Sequence, residues 1–413
     1  MATNHKSKTS PNTTITTTDQ TSNSSEIIAN NDDLLIQILL KLTVKSLIKS
    51  KSVSKHWLSL ISDPEFSQRI IPFPTSVSGL FIGTFSFPGY DFIDLNQTSN
   101  SSSSHAPIRS LAFPCSSSSS NAPIRSFMST NSPPEIRILH SCNGLFLCSA
   151  NEVFEPNYNY VYNPTIRKYT LLPPLLLHHS SFVLGLKLAF DPSKSHHYKV
   201  VCVWSNKGIA KPCHIEVYSS KTRTWKSSGY SFYANSEIDF DEGVFWNGSL
   251  HWLCIVKQEP SLYFNVEEER LSQMPLPPVP DEDWGDYKFF RYFGESRGHL
   301  HLIYSTYNPM LNVYEMEMDY STWFIKFRVD CSEFQTAFPE ITPPFYPFSI
   351  VYIVRCDVDE ESYAVIRIRG KFLRYNFKSK AIDIFCNIED VHRRDGLPRW
   401  SDTHQFIESL ALV

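Results

Sequence analysis

Glycine is scarce, at 14 of 413 residues, roughly half the usual share of about 7%, which disfavours repeat folds that turn on glycine pairs. Basic runs are missing as well. The 38 basic residues are outweighed by 42 acidic ones for a net charge of -4, and no window stacks Lys or Arg into a stripe that could track phosphates, so nucleic acid is not expected as a partner. No stretch reaches the roughly 18 uninterrupted apolar residues of a membrane span, and residues 1–25 are Thr, Ser and Asn without the apolar segment of an export leader, so neither is expected. The nine cysteines include no Cys-x-x-Cys pair, which argues against a disulfide framework and for reduced thiols in cytosol or nucleus. A Gly-x-Ser-x-Gly elbow, a glycine-rich phosphate loop ending in Lys-Ser or Lys-Thr, and His-Glu-x-x-His are all absent, removing the commonest catalytic signatures.

What is present suffices for a large core: 42% hydrophobic and 14% aromatic residues against 19% charged. The length allows two or three domains. Residues 1–25 are too polar to offset the entropy of ordering and read as a tail. Residues 97–132 hold two Ser runs and a duplication, Ala106-Pro107-Ile108-Arg109-Ser110 recurring as Ala122-Pro123-Ile124-Arg125-Ser126. They read as an expanded surface loop.

Between these polar regions lies the one helical region. Leu34, Leu35, Ile38, Leu39 and Leu42 recur at helical spacing, with Asn31 as N-cap and Asp32 and Asp33 at the positive helix start, which predicts a helix of about three turns. Thr43 is placed to cap a second helix carrying Val44, Leu47 and Ile48. A third sets Val53, Trp57, Leu60 and Ile61 on one face until Asp63-Pro64 stops it. Three such short helices make a core too small to stand well alone, so a partner is expected.

From Gly79 onward the period becomes two, with short β-branched and aromatic segments such as Lys199 to Trp204, His214 to Tyr218 and Tyr363 to Ile368. A unit of aromatic, polar turn and aromatic or aliphatic residue recurs at Tyr162 to Tyr169, Tyr218 to Trp225, Phe264 to Leu271, Tyr314 to Trp323 and Tyr375 to Ile382. Repeats roughly 50 residues apart are the mark of propeller blades. Five copies plus the strand-like Gly79 to Leu95 region predict about six blades; a large irregular β-sandwich is the alternative.

The spacing of Asp32-Asp33-Leu34-Leu35-Ile36-Gln37-Ile38-Leu39, Val44-Lys45-Ser46-Leu47 and Val53-Ser54-Lys55-His56-Trp57-Leu58 to Phe66 resembles the F-box of plant F-box proteins. Ser141-Cys142-Asn143-Gly144-Leu145, Tyr162-Asn163-Pro164-Thr165, Ala189-Phe190-Asp191-Pro192, Val244 to Trp252 and Phe406 to Leu410 resemble the plant F-box-associated domain. Asn30-Asn31 and Thr43 depart from the family's usual Leu-Pro and Pro, each supplying a helix cap instead. The resemblance implies an α+β multidomain chain: a polar tail over 1–25, a trihelical all-α F-box over 26–70 and an all-β propeller over 75–413.

It further implies that the F-box docks a Skp1-like adaptor, and through it a cullin-RING ubiquitin ligase, while the propeller holds an unknown protein substrate. On that reading the chain makes no covalent bond and needs no cofactor. Leu34, Leu35, Ile38, Leu39, Leu42, Val44, Leu47, Val53, Trp57 and Leu60 are then divided between helical core and adaptor face. Trp284, Asp283 and Tyr287, in an acidic loop with an aromatic anchor, are candidates for substrate contact. A propeller glycosidase or glycan-binding protein is the rival, with Asp239, Asp241, Asp281, Asp283, Asp286, Asp357 and Asp359 as possible acids. His178, His179, His196, His197, Cys202, Cys213 and His214 match no zinc spacing, so no metal is expected.

Overall fold

The structure, a computed structural model, describes residues 31–70, 77–83, 90–96, 108–111, 135–151, 158–208, 211–256, 259–275, 290–304, 309–339, 348–387 and 400–413. The chain divides into two compact units, with the boundary between Phe66 and Ser67.

The first unit begins with α1 (Asp32–Leu39), α2 (Val44–Ser50) and α3 (Lys55–Ile61). Each starts on a side-chain cap. Asn31 Oδ1 accepts from Leu34 N at 3.1 Å, Thr43 Oγ1 from Ser46 N at 3.3 Å and Ser54 Oγ from Trp57 N at 3.1 Å, each satisfying an otherwise orphaned donor. α1 is shorter than the three turns expected. Pro64 ends α3 as read, but it also opens a fourth helix, α4 (Pro64–Ile70), because the ring that blocks a helix interior fits its first position. Asp63 Oδ1 accepts from Glu65 N at 2.8 Å there.

The second unit is a six-bladed propeller of four-stranded antiparallel sheets. Blade 1 pairs β1 (Gly79–Gly83), β2 (Tyr90–Asp94) and β3 (Ile108–Leu111), and the C-terminal β24 (Thr403–Phe406) closes it beside β1. Blade 2 follows as β4 (Glu135–Cys142), β5 (Leu145–Asn151), β6 (Tyr158–Asn163) and β7 (Lys168–Leu171). Blade 3 is β8 (Ser181–Ala189), β9 (Lys199–Asn206), β10 (Cys213–Ser219) and β11 (Thr224–Phe232), and blade 4 is β12 (Val244–Trp246), β13 (Ser249–Trp252), β14 (Leu262–Asn265) and β15 (Arg270–Gln273). Blade 5 is β16 (Phe290–Ser296), β17 (His299–Tyr304), β18 (Met310–Met316) and β19 (Trp323–Asp330). After the short α5 (Cys331–Ala337) comes blade 6, β20 (Ser349–Val354), β21 (Tyr363–Ile368), β22 (Lys371–Asn376) and β23 (Ile382–Asn387).

All five repeat units are the hairpins joining the third and fourth strands of blades 2 to 6. Their chemistry explains the pattern. Asn163, Asn265 and Asn376 each accept backbone N–H bonds two residues on, at 2.9, 3.0 and 3.0 Å, forming Asx turns. Arg167, Arg223, Glu269, Tyr320 and Lys380 then take left-handed φ values of 51 to 61°. Trp225 and Trp323, the closing aromatics of two copies, donate their indole N–H to Pro173 O and Pro275 O of the preceding blade at 2.8 and 3.1 Å, so these repeats also clip neighbouring sheets together.

The Ser-rich region read as a loop over 97–132 contains β3. Ile108 and Arg109 pair with Ile93 and Phe92, so the first copy of the duplication supplies the outer strand of blade 1, and the flanking Ser runs obscured it. The second copy lies outside the described residues. Pairing of β1 with β24 joins the two ends of the propeller sequence. Asn163, fully buried, reinforces this closure by donating to Ser409 O at 3.0 Å and Ala411 O at 2.8 Å.

Candidate functional site

Two surfaces matter, one on each unit, and the first is the seam of the helical unit. The apolar stripe of α1 splits into two rails one residue apart. Leu35 and Leu39 are buried with Leu47, Ile61 and Phe66, forming the small core. Leu34, Ile38 and Leu42 point away from it and are 40, 47 and 37% exposed, with Val53 at 63% and Leu58 at 46%. Val44, Trp57 and Leu60 are half-buried. Of the ten residues proposed from the sequence, Leu35, Leu39 and Leu47 therefore serve the core, and seven keep surface. Leu58 was overlooked because it falls outside the stripe of Trp57, Leu60 and Ile61. Exposed apolar side chains grouped on so small a unit make this seam a candidate protein-binding face.

On the propeller, one strand of each blade lines a central channel: β4, β8, β12, β16, β20 and β24. These six strands run in the same sense, so the connections entering them share one face. That face carries the connection 233–243 and the described ends of the connections that enter β16, β20 and β24, whereas several tight turns, Asn143-Gly144, Asn247-Gly248 and Arg297-Gly298, lie on the other. Long connections on a rigid scaffold are where binding residues usually reside. Trp284, Asp283 and Tyr287 belong to the 274–289 connection but lie outside the described residues.

The channel itself is narrow, about 90 Å³, and polar. Lys187 donates to Leu139 O at 2.8 Å, and burial pushes its ammonium down to about 8, resisted by the nearby Asp241 and Asp239 carboxylates. Burial holds His404 down at about 3, and lowers His140 well below the usual imidazole range. Glu295 is raised by burial, against hydrogen bonds from Gly298 N and Gln405.

Three of the carboxylates considered for glycoside chemistry, Asp239, Asp357 and Asp359, have structural assignments. Asp239 caps the 3-10 turn Phe240–Glu242, accepting from Asp241 N at 2.8 Å. Asp357 pairs with Arg297. Asp359 binds Lys326 at 2.6 Å and Arg355, bonds that lower its carboxyl pKa. Asp281, Asp283 and Asp286 are outside the described residues. The paired imidazoles of His178 with His179 and His196 with His197 lie 3.9 and 4.0 Å apart, while Cys202 and Cys213 are buried. Among the described residues no group of three or more His, Cys, Asp and Glu could hold a metal ion. None of the described helices is long and apolar enough to cross a membrane.

A short helical unit with an exposed apolar seam, followed by a six-bladed propeller, defines a two-part helical and propeller protein. The family matches say which. Residues 31–69 match the F-box domain and residues 103–331 the F-box associated beta propeller domain. The chain is 34% identical over 427 aligned residues, 95% of its own length and 94% of the relative's, to F-box protein At5g07610 of Arabidopsis thaliana. It is 25% identical to F-box protein At5g49610 of the same plant, covering 91% and 95% of the two chains, and 27% identical to F-box/kelch-repeat protein At4g19930, also of Arabidopsis thaliana, covering 64% and 61%. This chain belongs to the plant F-box proteins with an F-box-associated propeller.

Proposed function

We propose that this protein is the substrate-recognition subunit of a ubiquitin ligase of the Skp1-cullin-F-box type. The observation that carries the reading is the exposed rail of Leu34, Ile38 and Leu42 beside Val53 and Leu58, apolar surface left over after the helical core is complete. A Skp1-like adaptor covers that rail, and the propeller holds a protein substrate. Catalysis then needs no reactive group here. The chain raises the effective concentration of the substrate beside the charged ubiquitin carrier. The connections around the channel, including the one bearing Trp284, Asp283 and Tyr287, supply substrate contacts. Cytosol or nucleus is the proposed compartment, consistent with seven described cysteines that are all free thiols.

The test is co-purification of the full chain with a Skp1-type adaptor, comparing wild type with the paired change Leu34→Asp and Ile38→Asp. The reading expects a complex that the pair abolishes while the propeller stays folded. Absence of any complex with the wild-type chain would reject it. Hydrolysis of glycosides by the purified chain would favour the enzyme rival.

A further inference from the structure

Charge is spread unevenly over the helical unit. In a chain of net charge -4, residues 34–62 hold five lysines, Lys41, Lys45, Lys49, Lys51 and Lys55, and no Asp or Glu. The same residues carry the apolar seam. Lys41 stands one turn after Ile38, where its backbone N–H bonds Ile38 O at 3.1 Å, and next to Leu42, so it flanks the end of the exposed rail. Lys49 and Lys55 bracket Val53 along the chain, one in the last turn of α2 and the other at the start of α3. Lys41, Lys49 and Lys55 are exposed, and none of them pairs with an acid among the described residues.

The acids of the unit sit elsewhere. Asp32 and Asp33 open α1, and the axial distance from Asp33 to Lys41 is about 12 Å, longer than the screening length of about 8 Å at physiological salt. Asp32 is moreover held by His56 Nε2 at 2.9 Å. Asp63 and Glu65 lie past the end of α3, where α4 begins. An apolar seam by itself accepts any apolar partner, whereas a rim of one sign favours a partner of the opposite sign and repels its own. A basic partner is therefore opposed at each lysine and a neutral one gains nothing from them. An acidic one gains at all three.

We propose that this lysine rim selects an acidic partner: the Skp1-type adaptor that covers Leu34, Ile38, Leu42 and Val53 presents Asp and Glu carboxylates around its apolar groove, facing Lys41, Lys49 and Lys55. The charges speed the encounter and the rail holds the complex. The inference rests on the ligase reading above and assigns the adaptor its surface chemistry.

The experiment immobilises the full chain and follows binding of a Skp1-type adaptor by interferometry. Between about 0.05 and 0.5 M salt, the wild-type association rate is expected to fall about tenfold or more while dissociation changes by less than about threefold. The triple change Lys41→Gln, Lys49→Gln and Lys55→Gln is expected to slow association about fivefold or more at the lowest salt and to remove most of the salt dependence. Glutamate at the three positions should reverse that dependence, and arginine, which keeps the charges, should match wild type. Gln, Glu and Arg are helix formers comparable with Lys, and hydrogen exchange over residues 32–66 checks that the helices persist. A short DNA duplex added as competitor at physiological salt is expected to leave the adaptor in place; displacement by it would assign the lysines to nucleic acid and overturn the proposal. Wild-type association indifferent to salt, or a folded glutamine variant as fast as wild type, overturns the lysine rim while the complex itself upholds the ligase reading. Failure of the wild-type chain to take the adaptor at any salt overturns both.

Discussion

Replacing Leu34 and Ile38 together separates adaptor binding from folding, and its size follows from exposure. Fully burying a Leu or Ile side chain contributes about 1.5 to 3 kcal/mol. Leu34 and Ile38 retain 40% and 47% of their surface, which leaves about 1 kcal/mol for each to gain at an interface. Alanine at both positions should then weaken the complex by about 2 kcal/mol, roughly 30-fold. Aspartate at both adds the cost of setting carboxylates against an apolar partner, a further few kcal/mol, for a loss of about 1000-fold or more. Leu39 is the control, because it is completely buried. Leu39→Asp should unfold the helices and abolish binding for an unrelated reason, so changing Ile38 together with Leu39 would confound the two effects. Calorimetric titration with the adaptor gives the affinity, and hydrogen exchange over residues 32–66 shows whether the bundle persists. The reasoning is refuted if the Leu34→Asp, Ile38→Asp chain keeps its exchange protection and binds the adaptor with unchanged affinity.

Three further outcomes come from the propeller. Lys187 is 3% exposed and its folded pKa of about 8 lies below the ordinary 10.5, so the unfolded chain holds more protons in that window and stability should rise with pH across it. Lys187→Met should therefore remove that rise between about pH 8 and 10.5; urea titrations that find the slope unchanged in the variant would contradict this. His251 and His404 are lowered from the usual 6.5 to about 3 by burial, so the unfolded chain alone takes up these protons as pH falls through that range. Each should remove up to about 1.4 kcal/mol of stability per pH unit, and His404→Gln should flatten the slope in chemical denaturation series between pH 7 and 5. Asn163→Ala strips the turn of its cap and leaves Ser409 O and Ala411 O without their amide donor, at about 1 to 3 kcal/mol for each buried group left unpaired. A lower melting temperature and faster proteolysis at the C-terminus are expected, and unchanged values of both would show that the tail is held by other contacts.

The sequence was most informative where local chemistry fixes local structure. Asn163, Ser219, Asn265, Asp319 and Asn376 each accept from a backbone N–H two residues on, so the hairpins of blades 2 to 6 were visible as repeats, and five of them were enough to anticipate about six blades. Asn31 and Thr43 were readable as caps for the same reason. Features that depend on distant partners were hidden. The strands around the channel carry His140, Lys187, Glu295 and His404, polar residues that break an apolar alternation, and only closure of the ring shows them to be interior. Pairing of β1 with β24 links the ends of the propeller sequence, a contact no window can display. Pro64 had two meanings, stop and start, and the second emerged only with α4. At the helical seam the stripe was plain, but its division into a buried rail at Leu35 and Leu39 and an exposed one at Leu34 and Ile38 depends on where α2 and α3 pack.

The two faces of the propeller differ in what change they tolerate, and that difference bears on how such a receptor acquires a substrate. On the tight-turn face, Asn143 and Gly144 hold φ values of 45° and 88°, and a Cβ placed on Gly144 would sit 2.4 Å from the Cβ of Ser409. Substitution at that glycine would both strain the turn and push away the tail that helps close the ring. The repeat hairpins on the same face combine capping side chains with left-handed residues, so they too constrain what may replace them. On the opposite face the connection 233–243 joins β11 to β12, strands whose pairing within their own sheets is already fixed. Doubling the length of a flexible connection costs only about 0.6 kcal/mol in closure entropy. Variation there can reshape the surface around residues 233–243 with little effect on the blades beneath, whereas variation at the turns would reach the fold first.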